Sequence, residues 1–160
     1  MLVNHGSLDK KDFKITGINS RMDTIQAAVL MIKIVKIKNK MKLRYKNFKL
    51  YKKYLSKNKF IKLPAERKGY FDSFYLLTVL CKKRNLLQKW LNKNHIQTGI
   101  YYKKLLPFNS VYNKLKYKIS DFKNAYYNNN NMLSLPIHEG LTEREIKRIC
   151  NKINDFYKFT

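Results

Sequence analysis

Apolar residues recur along this chain with two different periods, and the change from one to the other marks out its elements. Over residues 20–56, Ala27, Leu30, Ile34, Ile37, Met41, Phe48 and Leu55 return at steps of three, four or seven, with lysines on the other faces. That is the spacing of one apolar stripe on a long helix. No Pro or Gly interrupts it. Ser20 stands three residues before Asp23, a spacing at which the two side chains satisfy backbone N–H groups at a helix start, where the dipole also favours the carboxylate. A helix this long in a chain of 160 residues is expected to bridge two bodies or to pack against something outside the chain.

Leu63 and Pro64 close that region, and residues 70–83 follow as a strand centred on Phe74-Tyr75-Leu76-Leu77-Thr78-Val79-Leu80. The near-continuous β-branched and aromatic content predicts burial on both faces. Residues 85–94 read as a short helix with Leu86, Leu87, Trp90 and Leu91 on one side, and 96–102 as a second strand. An irregular, aromatic-rich loop with Pro107 spans 103–117. Residues 120–132 pattern as a helix, although Asn128-Asn129-Asn130-Asn131 has poor helix propensity. A brief extended stretch over 133–137 is punctuated by Pro136. In the last element, Thr142 and Glu145 form a capping box, and Ile146, Ile149, Cys150, Ile153, Phe156 and Tyr157 share one face. Burying each large apolar side chain stabilises by about 1.5–3 kcal/mol, so this helix is expected to be docked. The order helix, strand, helix, strand, helix, helix predicts a small α/β layer led by a long helix, with no internal repeat.

Composition changes the picture only in part. A chain of this length buries roughly 70% of its unfolded surface, enough for one real core. The 35 Lys plus Arg against 10 Asp plus Glu give a net charge of +25, which points to polyanions. The excess is mostly Lys, accompanied by Asn, Ile and Tyr and spread over the whole chain, the bias that AT-rich coding also produces on solvated faces. Interleaved basic and aromatic residues in 42–62 and 101–117 keep an alternative in view: a basic RNA- or polyanion-binding module without catalysis. Cys81 and Cys150 have no zinc-ligand spacing, and a reduced, intracellular protein is the simplest reading. Without an apolar run of signal-peptide length or the ~18 apolar residues of a membrane span, a cytoplasmic location and no membrane partner are expected.

Catalytic equipment is sparse. His5, His95 and His138 are scattered, unaccompanied by a carboxylate pair, a glycine-rich phosphate loop or a serine motif, and read as surface or loop residues. No metal site and no self-contained enzyme are expected. Gly17-Ile18-Asn19-Ser20-Arg21 places an amide and a guanidinium at a helix N-terminus. That arrangement suits a phosphate or carboxylate; it equally suits an ordinary capped helix with Arg21 in an ion pair.

The stretch from Gly17 through Met22-Asp23-Thr24-Ile25-Gln26-Ala27-Ala28-Val29-Leu30 resembles a motif of the DegT family, sugar-nucleotide aminotransferases of the aspartate aminotransferase superfamily. Three further segments keep that family's order. Asn4-His5-Gly6 resembles its "NHG", Thr98-Gly99-Ile100-Tyr101-Tyr102 its "T-x-I-H-Y", and Leu133-Ser134-Leu135-Pro136-Ile137-His138 with Leu141-Thr142 its "LSLP-x-H-x-x-LT". The likeness covers essentially the whole chain, as the C-terminal portion of such an enzyme.

The resemblance implies an α/β fold, with a long N-terminal bridging helix followed by the small α/β C-terminal domain of a fold type I aminotransferase, the large cofactor domain being absent. Residues 1–19 would be the tail end of that domain with its turn, 20–56 the interdomain helix and 57–160 the small domain. It implies pyridoxal 5'-phosphate as cofactor of the complete enzyme, and transfer of an amino group, usually from glutamate, to a nucleotide-linked keto-sugar for cell-surface polysaccharide or glycan biosynthesis. A homodimer, or a separately encoded N-terminal half, would complete the site, and nucleic acid is not an expected partner. Asn19 would reach across to the cofactor phosphate held by the neighbouring subunit. Arg21 would assist an anionic ligand or hold the turn. Tyr101 and Tyr102 would lie in the substrate loop. The family's Schiff-base lysine precedes the "NHG" segment, so no catalytic residue is assigned to this chain. Two departures stand out: Tyr101 and Pro107 replace histidines of the substrate loop, and His95 precedes Ile96 where the family has Gly-Ile.

Overall fold

The computed structural model describes residues 3–5, 8, 12, 14–20 and 22–158. They fall into two compact units, Met1–Asn39 and Lys40–Thr160, and helix α1, Thr24–Leu55, contributes to both. In the first unit, Asn4 and Asn19 form an antiparallel bridge. His5 N donates to Ile18 O at 3.1 Å and Ser20 N to Val3 O at 3.0 Å. The start of α1 lies three residues later than the Ser20–Asp23 spacing predicted. Asp23 is the residue before the first turn, its carbonyl accepting from Ala27 N at 2.9 Å, and Gln26 Oε1 accepts the Asp23 N–H at 3.2 Å. The reciprocal acceptor three residues into the helix is therefore Gln26.

Within this unit the predicted single stripe gives way to something else. Leu30, Ile34 and Ile37 are exposed, and so are Ile25, Met31, Ile32 and Val35, so apolar side chains surround the helix. A helix apolar all round is one that larger proteins bury.

The second unit is built on a three-stranded antiparallel sheet in the order β1-β2-β3, comprising β1 (Ile61–Lys62), β2 (Leu77–Cys81) and β3 (Met132–Leu135). Helices α2 (Arg84–Lys93), α3 (Lys123–Asn131) and α4 (Glu143–Lys158) complete it, with three 3₁₀ turns between Leu106 and Phe122. Those turns occupy much of the predicted irregular loop. Register pairs Leu77 with Leu135, Thr78 with Ser134 and Val79 with Leu133. Leu77, Val79 and Cys81 are buried, while Thr78 and Leu80 between them are half-buried, so β2 has one core face and not two. It is also shorter than predicted. Phe74 sits at φ 45 with its N–H bonded to Asp72 Oδ1 at 2.9 Å, a turn geometry that keeps residues 70–76 out of the ladder. Of the predicted second strand over 96–102, only Gly99 pairs, with Ser134.

The core joins Phe48, Tyr51 and Leu55 of α1 to Leu87 and Leu91 of α2, the inner face of the sheet, and Ile146, Ile149, Ile153 and Phe156 of α4. Phe48 stacks on Phe74 at 4.3 Å between centroids, and Trp90 Nε1 donates to Lys152 O at 2.9 Å. The capping box of α4 forms as the sequence predicts: Glu145 Oε2 accepts from Thr142 N at 2.8 Å and from its hydroxyl at 2.7 Å. Cys81 and Cys150 are buried and free, and burial pushes both thiols up to about 12, Arg84 opposing the rise at Cys81.

Helix α2 ends in a two-bond left-handed cap. His95 N donates to Asn92 O at 3.0 Å and Ile96 N to Leu91 O at 2.9 Å, with His95 at φ 58. This is the position at which helices ordinarily place glycine, because a Cβ costs about 1–2 kcal/mol there. The histidine that departs from the family pattern therefore carries a backbone penalty. After the larger unfolded-state entropy of glycine is subtracted, His95→Gly is expected to stabilise the chain by about 0.5–1 kcal/mol, read as a rise in the urea midpoint at constant m.

Candidate functional site

Two places carry the residues singled out by sequence. In the first unit, Asn19 is exposed beside the start of α1 and lines a shallow cleft of about 370 Å³ with Met22, Asp23 and Thr24. Amide N–H groups of a first helical turn and a carboxamide suit a phosphate edge. They fit the phosphate of a pyridoxal coenzyme as an accessory contact, and they supply neither a nucleophile nor a base. Arg21 lies outside the described residues.

In the second unit, the bridge between Gly99 and Ser134 brings the loop of Tyr101 and Tyr102 to the edge of the sheet. Gly99 N donates to Ser134 O at 2.9 Å and Ser134 N to Gly99 O at 2.8 Å. A Cβ on Gly99 would lie 2.9 Å from Tyr101 Cε2, so glycine allows that ring to lie against the backbone. Tyr101 and Tyr102 are themselves exposed. Two cavities meet at Gly99 and Tyr101. The larger, about 560 Å³, is bordered by His95, Gln97, His138, Glu145 and Arg148. Thr98 Oγ1 is buried without a hydrogen-bond partner among the described residues, and Arg148 Nη2 donates to Asn94 O at 2.7 Å.

The smaller chamber, about 170 Å³, lies on the outer face of the sheet between Tyr101, Tyr102, Thr78, Ser134, Met132 and Asn129. Thr78 Oγ1 and Ser134 Oγ are 2.8 Å apart and share a hydrogen bond. Asn129 is buried, and its Oδ1 has no hydrogen-bond partner among the described residues. Sequence reasoning saw the asparagine run only as a weakness of the helix and did not single out Asn129, Thr78 or Ser134.

The segment after β3 is fixed to α1. Asn47 Nδ2 donates to His138 O at 2.9 Å and the Tyr51 hydroxyl to Pro136 O at 2.8 Å. Glu139 takes Lys40 at 2.9 Å and Arg44 at 3.0 Å. Lys40, the carboxylate's own backbone N–H and Arg44 hold its pKa down to about 2, against an ordinary 4.5. A depressed carboxylate contributes stability that is complete above its unfolded value and is lost as pH falls through the folded one. Stability is therefore expected to fall between pH 4.5 and about 2 by an amount that Glu139→Gln removes. In urea titrations at several pH values, the two proteins should differ at neutral pH and converge below about 2.

No helix among the described residues is long and apolar enough to cross a membrane, and no group of His, Cys, Asp or Glu among them could hold a metal ion.

Comparison with known proteins places this geometry in a family. The family of DegT/DnrJ/EryC1/StrS aminotransferases matches residues 1–154, and the chain belongs to it, as the C-terminal portion that the motifs indicated. Pyridoxal 5'-phosphate is the coenzyme of these aminotransferases. A pleiotropic regulatory protein of Geobacillus stearothermophilus is 31% identical over 156 residues, which cover 96% of this chain and 42% of that protein. The dTDP-3-amino-3,6-dideoxy-alpha-D-galactopyranose transaminase of Aneurinibacillus thermoaerophilus is 28% identical over 98% of this chain and 42% of its own length. Among solved structures, S. venezuelae DesV in complex with a ketimine intermediate superposes with a TM-score of 0.89 at 26% identity, over 98% of this chain and 42% of that one. Helicobacter pylori PseC, an aminotransferase involved in the biosynthesis of pseudoaminic acid, shares the fold with a TM-score of 0.86 at 21% identity, over 99% of this chain and 45% of its own. The chain thus spans less than half the length of each of these relatives.

Proposed function

We propose that this chain works as the C-terminal portion of a pyridoxal-phosphate-dependent aminotransferase that moves an amino group, from glutamate, onto a nucleotide-linked keto-sugar used in cell-surface polysaccharide or other glycan synthesis. The observation that carries the reading is the family match over residues 1–154, which takes in both the Asn19 turn and the Tyr101-Tyr102 loop. The coenzyme, when bound, supplies an electron sink. This chain's share is to bind and orient. Asn19 donates to the coenzyme phosphate of a neighbouring subunit, Arg21 assists the same anion or holds the turn, and Tyr101 and Tyr102 border the sugar. Residues 1–19 close the coenzyme domain, 20–56 connect it, and 57–160 form the small domain. The working enzyme is a cytoplasmic homodimer, or a complex in which a separately encoded N-terminal half completes the site. The apolar girdle of α1 supports this arrangement, since its first turns would then be covered.

By the resemblance, the lysine that holds the coenzyme lies in the part of the family that precedes the Asn4-His5-Gly6 segment. Mixed with pyridoxal phosphate and reduced with borohydride, the chain alone is expected to show scattered labelling and no transamination of glutamate. One stoichiometric lysyl adduct at a defined position, with turnover by the chain alone, would sink the reading. In an assembled enzyme, Asn19→Ala is expected to weaken coenzyme affinity by about tenfold, the worth of one hydrogen bond to a charged group.

A further inference from the structure

A cavity of about 620 Å³ is lined by the end of α1, the residues that lead into β1 and the last turns of α4. It shares no lining residue with the two cavities that meet at Tyr101. Hydrogen bonds hold its walls in place without any guest. Asn58 Nδ2 donates to Asn154 Oδ1 at 2.8 Å and Asn154 Nδ2 to Tyr54 O at 3.3 Å, while Asn58 Oδ1 accepts from Phe60 N at 3.0 Å. The Tyr157 hydroxyl donates to Lys82 O at 2.6 Å. A groove organised beforehand avoids most of the ordering that binding otherwise costs.

Lys57, Lys59 and Lys158 line this groove against a single carboxylate, Asp155. Lys82, itself exposed, stands over the Phe60 ring at 5.7 Å. None of these four lysines has an ion pair among the described residues. Lysines beside helix C-termini offset the helix dipoles and by themselves indicate no ligand. The aromatic surface is what that role does not need. Phe60 stacks on Tyr157, with 4.9 Å between centroids and 18° between planes, yet it remains 41% exposed.

A flat apolar ring flanked by unpaired cations discriminates among polyanions. An acidic peptide or an inorganic polyphosphate would engage the lysines and leave the ring in water. A duplex keeps its base faces stacked inside the helix, out of the ring's reach. A single strand offers a base face and a phosphate at every step, and stacking combined with charge is how such strands are held. The interleaved basic and aromatic stretch over 42–62 supplies one wall, and the fold adds Tyr157 and Lys158 from the far end of the chain.

We infer that this groove binds single-stranded nucleic acid, with one base stacked on Phe60 and the flanking phosphates on Lys57, Lys59, Lys82 and Lys158. No residue of the groove takes part in the function proposed above, so either can fail alone.

The test is fluorescence anisotropy of the full chain with an end-labelled octauridylate and with an abasic strand of the same length and charge. The abasic strand is expected to bind about fivefold or more weakly, for want of a base to stack. Phe60→Leu should erase that difference, and the abasic comparison in the parent stands even if this variant does not fold. Each phosphate contact to a single strand contributes about −0.7 to the slope of log K against log salt, so Lys57→Gln, Lys59→Gln, Lys158→Gln together should make the slope shallower by about 2. Lys103→Gln, Lys104→Gln, Lys114→Gln remove equal charge from the other interleaved stretch and should leave both readings as in the parent. Octadeoxyuridylate is expected to bind as octauridylate does, because stacking and charge do not read the 2'-hydroxyl; a tenfold preference for either would assign the groove to that strand. Equal affinity of the parent for base-bearing and abasic strands, or the same loss from both lysine sets, would show only diffuse attraction to a chain of charge +25 and overturn the groove. Uridine monophosphate binding as tightly as the octamer would overturn it as a site for strands.

Discussion

Tyr51→Ala is expected to remove about 3–5 kcal/mol of stability, the cost of emptying a large aromatic site in a packed core. Tyr51 is fully buried in the core of the second unit, and its hydroxyl donates to Pro136 O at 2.8 Å. Burial drives its pKa well above the ordinary value of 10.0, so the phenol remains a donor throughout the physiological range. The alanine variant therefore loses two things: the ring that fills the space between α1 and the sheet, and the partner of a carbonyl in the segment leading to His138. A domain's whole stability is about 5–15 kcal/mol, so the loss is about a fifth of it or more. Urea denaturation followed by far-UV circular dichroism measures it as a lowered midpoint at unchanged m. Tyr51→Phe separates the two contributions, with an expected loss of about 1–2 kcal/mol for the hydrogen bond and the stranded carbonyl. An alanine variant within about 1 kcal/mol of the parent would mean that the core is not organised around this ring.

The parts of the fold that sequence made legible are those fixed by local chemistry. Helix α4 announced itself because both halves of its cap, Thr142 and Glu145, and all of its buried face lie within its own residues. Helix α2 was placed to within a residue at each end, since Leu87 and Leu91 follow the helical period. The two-residue strand β1 went unread because only its pairing with β2, Ile61 to Cys81, defines it. The expected strand over 96–102 fails for the converse reason: its residues look extended, but a single one finds a partner. On α1, counting steps of three and four picked a stripe and passed over Met31, Ile32 and Val35, which fill the remaining faces. Of the candidate site, the Tyr101-Tyr102 loop stands out in sequence through family resemblance and through the interleaved basic and aromatic residues that follow it. Asn129 does not, because an asparagine run says nothing of which member the tertiary fold will bury.

The apolar girdle of α1 gives the other large effect. Ile25 and Val35 are 80% and 82% exposed, and Ile32 between them is exposed as well. The chain is expected to self-associate at micromolar concentration through residues 25–35, since monomers rarely leave so continuous an apolar surface in water. Covering each of these side chains is worth about 1.5–3 kcal/mol, so the triple variant Ile25→Glu, Ile32→Glu, Val35→Glu should lower the association constant by roughly three to six orders of magnitude and sediment as a monomer. None of the three positions is buried in the chain, so thermal unfolding of the second unit should not change. Salt separates this association from the polyanion-driven kind that a net charge of +25 invites. Like charge on the copies opposes apolar association, and added salt screens that repulsion. Self-association should thus strengthen as salt rises, whereas binding through lysines to a nucleic acid weakens steeply under the same change. A parent chain that stays monomeric at hundreds of micromolar in moderate salt would show that this helix needs no cover.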